Sequence, residues 1–184
     1  MKNKIKDPLL RQNCRNEIIK AAIKMIRKDS WNVFSMRNLA EAVNYTIPVL
    51  YSCFLSKDEL ISALVKIGFQ LLSHEIENTK KNKLHPLDQL TAMWLAYYEF
   101  GKKEKALYQA MFGVGINCPG SDTSKEGMAA VRKLFIYKDE EICPGFYHQW
   151  AAAHGLISLS FIYAPLPAPM IRDILNDIVK LPCF

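Results

Sequence analysis

Residues 35–60 read SMRNLAEAVNYTIPVLYSCFLSKDEL, and the spacing of their apolar and capping residues decides the fold. Ser35 is a good N-cap for a short helix over 36–43 that buries Leu39, Ala40 and Val43. Asn44 stops it: Asn tolerates the left-handed conformation better than most residues other than Gly, which suits a tight turn between helices. Thr46 caps the next helix, and Pro48 falls in its first turn, where a missing N–H costs nothing. Leu50 and Phe54, four apart, face inward. Ile47, Pro48, Val49 and Ser52 then point away from the core, with Tyr51 at the boundary. Ser56-Lys57-Asp58-Glu59 is an S-x-x-E capping box opening a longer helix, with Leu60, Leu64, Ile67 and Leu71 as its inward stripe.

Upstream, Ile18, Ala22, Met25 and Ile26 recur at helical spacing between about Pro8 and Lys28, with Arg11, Arg15, Lys20, Lys24 and Arg27 around the rest of the circumference. Three helices and two tight turns therefore precede a fourth, long helix. Two short helices joined by a turn of a few residues, the second exposing small and apolar side chains at its start, form the pattern of a helix-turn-helix whose second helix enters the major groove of DNA.

The charge agrees with this pattern. Through Lys57 there are 11 Lys and Arg against 4 Asp and Glu, whereas the rest of the 184-residue chain carries 13 against 14, so the whole +6 excess lies in the first third. A localised basic field attracts polyanions, nucleic acid first and an anionic membrane surface as the rival; a solvated basic face with no partner is the bland alternative.

Half of the residues are apolar, enough for a sizeable core. No apolar run of signal-peptide length opens the chain, and the longest apolar stretch, from Trp150 to Met170, is interrupted by His154, Gly155, Pro165, Pro167 and Pro169. A soluble cytoplasmic protein is expected, with no membrane partner. Five scattered cysteines without a Cys-x-x-Cys pair argue against a disulfide framework and a thiolate zinc site. Cys53 and Cys118 are the candidates for a redox-sensing thiol.

The run Ser35-Met36-Arg37-x-Leu39-Ala40, then Asn44, then Leu50-Tyr51-x-x-Phe54-x-Ser56-Lys57-x-x-Leu60, resembles the N-terminal DNA-binding domain of the TetR family of bacterial transcription regulators. The resemblance implies an all-α homodimer: a three-helix helix-turn-helix domain over 1–60, joined by a long helix to a larger helical bundle, 61–184, that binds a small molecule and dimerises. It also implies that Tyr51 and Lys57 contact phosphates and that Arg37 reaches a base or the backbone. On that model Ser35, Arg37, Thr46, Tyr51 and Lys57 position the duplex while Ile47, Pro48 and Val49, beside Ser52, face base edges. Asn44 stands where the family usually has Gly, and Cys53 where it often has His or Tyr, which removes one phosphate contact. The outward surface is unusually apolar, so readout leans on thymine methyl groups and on DNA shape rather than on bidentate hydrogen bonds.

Beyond residue 80 the pattern stays helical. A helix from Pro86 carries Leu87, Leu90, Trp94 and Tyr97 or Tyr98, and a segment over 103–112 adds Leu107, Tyr108, Met111 and Phe112. Residues 113–127, GVGINCPGSDTSKEG, read as a mobile loop before a helix near 129–137. Phe146 to Tyr163 forms a helix with Trp150, His154, Ile157 and Phe161 on one stripe, and a Pro-rich turn leads to a last helix with Ile171, Ile174, Leu175 and Ile178. These two helices suit pairing with the same hairpin of a second copy, a homodimer through the last two helices.

Trp150-x-x-x-His154-Gly155, with the Tyr97-to-Phe112 segment, resembles the WHG-type C-terminal domain of one branch of these regulators. Met93, Trp94, Tyr97, Tyr108, Met111, Phe112, Tyr147, Trp150 and His154 then form an adaptable pocket for a neutral or lipophilic effector, a packed core being the competing reading. No cofactor or metal is expected. His74, Glu75 and Glu77 lie on different helix faces, His148 and His154 do not share one, and no phosphate loop or Ser-His-Asp order appears, so the chain does not read as an enzyme. The function expected is a ligand-responsive regulator, a repressor released from a palindromic operator on double-stranded DNA. The alternative is a helical small-molecule-binding protein with degenerate DNA binding.

Overall fold

A computed structural model of the chain describes residues 7–80, 85–113, 121–135, 145–164 and 166–180. Among these, the elements in order are α1 (Pro8–Asp29), a 3₁₀ turn (Ser30–Val33), α2 (Met36–Ala42), α3 (Ile47–Cys53), α4 (Lys57–Thr79), α5 (Pro86–Lys103), α6 (Lys105–Phe112), α7 (Ser121–Leu134), α8 (Phe146–Ser160) and α9 (Ala168–Lys180). The fold is all-α. It divides into two units, Met1–Gly68 with Ala106–Ser124, and Phe69–Lys105 with Lys125–Phe184.

In the first unit α1 is capped by Asp7, whose carboxylate accepts from the Leu9 N–H at 2.9 Å while Pro8 fills the first turn. Its buried face is Cys14, Ile18, Ala22 and Ile26, a strict i, i+4 row; Met25 lies half-buried beside it. α2 buries Met36, Leu39 and Ala40, and α3 buries Leu50 and Cys53. Val43, expected in the core, is half-buried because the helix ends at Ala42 and Val43 is its C-cap. α6 also belongs to this unit: at Gly68 of α4 an added Cβ would lie 2.6 Å from the Met111 sulfur, so a larger residue there would displace the Met111 side chain.

The stripe expected along α4 holds for Leu60 and Leu64 and then turns. Ile67 is half-buried and Leu71 is 36% exposed, whereas Val65, Phe69, Leu72 and Ile76 are buried. The unit boundary at Gly68 accounts for this, since the two ends of the helix serve different cores.

In the second unit α5 packs on α8 and α9. α8 buries Phe146, Gln149, Ala153 and Ile157, which leaves Trp150 and His154 half-buried at the flank of that row instead of at its centre. α9 buries Ile171, Leu175, Ile178 and Val179. Residues 114–120 of the expected loop lie outside the described residues, but Ser121 to Gly127 are helical. Gly127 reads as a loop residue by composition and is instead required by close packing: a Cβ there would lie 2.3 Å from the Phe69 ring.

Candidate functional site

The turn between α2 and α3 is built as the sequence dictates. Asn44 sits at φ 55°, in the left-handed region. Its N–H donates to the Glu41 carbonyl at 3.2 Å, and the Tyr45 N–H donates to the Ala40 carbonyl at 2.9 Å. This pair of bonds is the Schellman motif, in which the left-handed residue satisfies the last carbonyls of the helix. At the other end of α2 the Ser35 hydroxyl accepts from the Asn38 N–H at 3.1 Å, and the Asn38 amide reaches back to the Val33 carbonyl at 2.8 Å.

Thr46 stands at the N-cap of α3 in extended conformation, yet its hydroxyl makes no capping bond. The expected cap is absent for a physical reason. Pro48, the second residue of the helix, has no N–H, and the Val49 N–H is given to the Thr46 backbone carbonyl at 3.0 Å.

The outward side of α3 carries Ile47, 42% exposed, Pro48, exposed, and Val49, half-buried, with Tyr51 44% exposed at the next turn. Leu50 and Phe54 are fully buried. The Ser52 hydroxyl donates to the Val49 carbonyl at 2.7 Å. Arg37 on α2 is exposed and pairs with Glu41 at 3.3 Å. Lys57 is exposed at the start of α4; its ammonium donates to the Phe34 carbonyl at 3.4 Å and lies 5.4 Å from the Phe34 ring centroid. Arg37, Thr46, Ile47, Pro48, Tyr51 and Lys57 are thus exposed together on α2, α3 and the start of α4, with Ser35, Val49 and Ser52 partly covered.

Sequence reasoning did not find what holds this arrangement in place. The Arg15 guanidinium of α1 donates to the Glu59 carboxylate at 2.8 Å and to the Cys53 carbonyl that ends α3, and it lies 4.1 Å from the Phe54 ring centroid. Glu59 accepts in turn from the Leu55 N–H at 2.6 Å, while its own N–H donates to the Ser56 hydroxyl at 3.0 Å. The capping box is therefore present in shifted form, the carboxylate serving the residue before Ser56. Partial burial would raise the Glu59 carboxyl, but the hydrogen bonds from Arg15 and Leu55 and the Arg15 charge hold it below its ordinary value. A basic residue on the inner side of α1 was the available signal; its acidic partner 44 residues on was not legible.

Cys53 is buried against Cys14. Burial first, then the contact with the Cys53 thiol, pushes Cys14 up to about 11. A reactive thiolate needs the opposite shift. Cys118 lies outside the described residues.

Of the residues expected around an effector, Met93, Trp94, Tyr97, Tyr147, Trp150 and His154 fall in the second unit, and Tyr108, Met111 and Phe112 fall in the first. Tyr108 and Met111 are buried, with the Tyr108 and Phe112 rings 4.6 Å apart. In the second unit the Trp94 indole donates to Gln149 Oε1 at 2.8 Å and its ring centroid lies 4.4 Å from that of Phe135, the two rings tilted, with Met93 buried beside it in the sequence. The Trp150 indole donates to Tyr97 Oη at 2.9 Å, and Tyr97 Oη lies 3.4 Å from His154 Nδ1. Burial lowers the His154 pKa, which favours a neutral imidazole. Tyr147 is exposed and its hydroxyl accepts from Arg132 at 2.7 Å. Two polar groups were missed: Gln149, buried within the apolar row of α8, and Tyr98, whose buried hydroxyl has no hydrogen-bond partner among the described residues. A glutamine three residues after Phe146 and four before Ala153 was the signal for the first.

These features define an all-helical protein with a helix-turn-helix at its N-terminal end. Residues 18–64, which hold the helix-turn-helix, match the family model described as bacterial regulatory proteins, tetR family. No curated protein matches the chain. Among solved structures it is similar to a protein of unknown function from Rhodococcus sp. RHA1, at 19% identity over 90% of this chain and 92% of that one with a TM-score of 0.71. A TetR transcriptional regulator from the same organism is similar at 18% identity, over 92% and 96% of the two chains, with a TM-score of 0.68. The multidrug binding protein EbrR, complexed with imidazole, is similar at 18% identity, over 91% and 96%, with a TM-score of 0.65. Likeness at these identities concerns the fold. Among the described residues, no helix is long and apolar enough to cross a membrane.

Proposed function

We propose that this chain is a transcription regulator of the TetR family, a homodimeric repressor released from a palindromic operator by a small, mainly apolar effector. The observation that carries the DNA half is the solvent-accessible, uncharged side of α3 at Ile47 and Pro48, with Ser35, Arg37, Tyr51 and Lys57 around it and the whole basic excess of the chain in the same third. In this reading residues 1–60 bind DNA and 61–184 bind the effector and dimerise. Ser35, Arg37, Thr46, Tyr51 and Lys57 hold phosphates while α3 lies in the major groove. Two such helices about 34–36 Å apart match successive grooves of a two-fold operator.

The second unit supports the effector half by its composition. It holds an aromatic cluster with the polar handles of Tyr97, Trp150 and His154, a WHG-like set, and the similar protein EbrR is described as multidrug binding. Exposed Leu159, Ile162, Tyr163 and Met170 at the end of α8 and the start of α9 supply an apolar surface for pairing the last two helices with those of a second copy. The effector's influence on DNA affinity is bounded by its differential affinity for two dimer shapes, about 1–3 kcal/mol.

The test is DNA binding by the full chain across a salt series. A dimer neutralising about 6–10 phosphates loses roughly 10³–10⁵ in affinity between 50 and 200 mM salt. Lys57→Ala weakens binding to all sequences alike, whereas Val49→Ala changes preference among them. Absence of salt-sensitive binding to any selected duplex would leave a small-molecule-binding protein without a DNA function.

A further inference from the structure

We infer that the exposed side of α3 reads the C5-methyl group of pyrimidines, thymine and 5-methylcytosine alike, through Ile47, Pro48 and Val49. The inference rests on the DNA-binding reading above and deepens it by naming what is recognised.

Base edges in the major groove are told apart by hydrogen-bond donors and acceptors and by one apolar group, the pyrimidine C5-methyl. Bidentate discrimination requires a forked side chain: Arg on guanine, Asn or Gln on adenine. None of the outward positions of α3 carries one. Ile47, Pro48 and Val49 are hydrocarbon, and Ser52, the polar residue among them, spends its hydroxyl proton on the Val49 carbonyl at 2.7 Å.

The neighbouring polar groups are assigned to phosphates or singular. Arg37 engages Glu41 at 3.3 Å on its own helix, and the Lys57 ammonium rests on the Phe34 carbonyl at 3.4 Å. Thr46 and Tyr51 each offer one hydroxyl, sufficient for a phosphate and insufficient for a two-point match to a base.

The groove edge and the outward side of α3 itself are therefore complementary through hydrocarbon contact. The basic excess of the first 57 residues draws the duplex in, and the hydrocarbon patch gains by excluding water from methyl groups. Removing one carbon from a buried apolar contact weakens it by about 0.8 kcal/mol, about fourfold in affinity per methyl. The two half-sites of a dimer together give about sixteenfold.

The experiment uses the full chain and its best site selected from random duplex DNA. Thymines under α3 are replaced by deoxyuridine, which keeps every base pair and removes only the methyl. The same positions are then built as C·G and as 5-methylcytosine·G. The expected result is a loss of about fourfold per methyl on the uridine duplex, and an equal gain of 5-methylcytosine over cytosine. Ile47→Ala and Val49→Ala bring both ratios toward one; Ile47 is 42% exposed and Val49 half-buried, so the fold survives, and the comparison of duplexes on the unaltered chain needs no variant. Tight, salt-sensitive binding that ignores the methyl groups overturns this inference and leaves the DNA-binding reading standing. Failure to bind any duplex overturns both.

Discussion

In the first unit three long-range side-chain donors end on backbone carbonyls, Arg15 on Cys53, Trp31 on Ala106 at 2.8 Å and Lys57 on Phe34, beside the side-chain pairs of Arg15 with Glu59 and Tyr45 with Glu17. In the aromatic cluster of the second, Trp94 ends on Gln149, Trp150 on Tyr97, and Tyr97 meets His154, all side chain to side chain, although Lys80 of the same unit does reach the Leu134 carbonyl. The difference matters physically. A carbonyl moves only if the backbone moves, so the bonds from Arg15 and Lys57 tie side chains to the end of α3 and to the segment before α2. A side-chain acceptor can leave by turning about its own bonds, so the second unit holds polar groups inside an aromatic cluster without tying them to one backbone geometry. On the proposed function, the first arrangement suits a rigid reading head and the aromatic cluster a pocket that changes partners when a ligand arrives.

The largest expected effect breaks the second arrangement. Gln149 is 2% exposed and accepts from the Trp94 indole. Gln149→Leu leaves that N–H buried without its acceptor and costs about 1–3 kcal/mol of stability, read as a fall in the urea midpoint of the full chain. Adding Trp94→Phe removes the stranded donor and returns part of the loss, because deleting both partners is cheaper than deleting one. A Gln149→Leu chain as stable as the parent means that the hydrogen bond contributes nothing to the fold and that the contrast with the first unit fails.

Next comes the clamp on α3. Arg15→Met keeps the aliphatic stem and removes the charge from Glu59, the Cys53 carbonyl and the Phe54 ring. Charged hydrogen bonds contribute more than neutral ones, but the Glu59 side chain keeps 35% of its exposure, so screening limits the loss to about 1–2 kcal/mol at neutral pH. The sign with pH follows from the lowered folded-state pKa. The contribution of Glu59 is complete above its ordinary value of 4.5 and is lost as pH falls through the lower value it has when folded. The gap between Arg15→Met and the parent therefore narrows on acidification below 4.5. Urea midpoints at neutral and acid pH measure it, and a gap that widens in acid contradicts the clamp.

What the sequence made legible was local. Asn44 in the left-handed region, Pro48 in the first turn of α3 and the outward set at Ile47 all follow from backbone sterics and a 3.6-residue period. Features set by distant partners were not legible. Leu71 repeats the period of Leu60 and Leu64, yet α4 has left its first core by then. Gly127 has the composition of a loop, yet it is helical, and the Phe69 ring occupies the place a side chain there would take. The outward residues of α3 could be read because exposure there is decided within one helix. Tyr108, Met111 and Phe112 were grouped with Trp150 by composition, whereas their unit depends on tertiary contacts that no periodicity encodes.

The smallest expected effect compares two caps within the first unit. Ser35 and Thr46 both stand at N-caps in extended conformation, and a residue scale would treat them as near equals. The Ser35 hydroxyl accepts from the Asn38 N–H, so Ser35→Ala strands that donor and costs about 1 kcal/mol. The Thr46 hydroxyl has nothing to cap: Pro48 lacks an N–H, and the Val49 N–H is held by the Thr46 carbonyl, which Thr46→Ala retains. Its cost is about a few tenths of a kcal/mol at most, since exposed substitutions away from such bonds stay within about 0.5 kcal/mol. Matched urea unfolding of the two variants measures the difference directly. Equal losses would mean that Thr46 caps α3 after all, and that its hydroxyl is withheld from the DNA-facing side in the free protein.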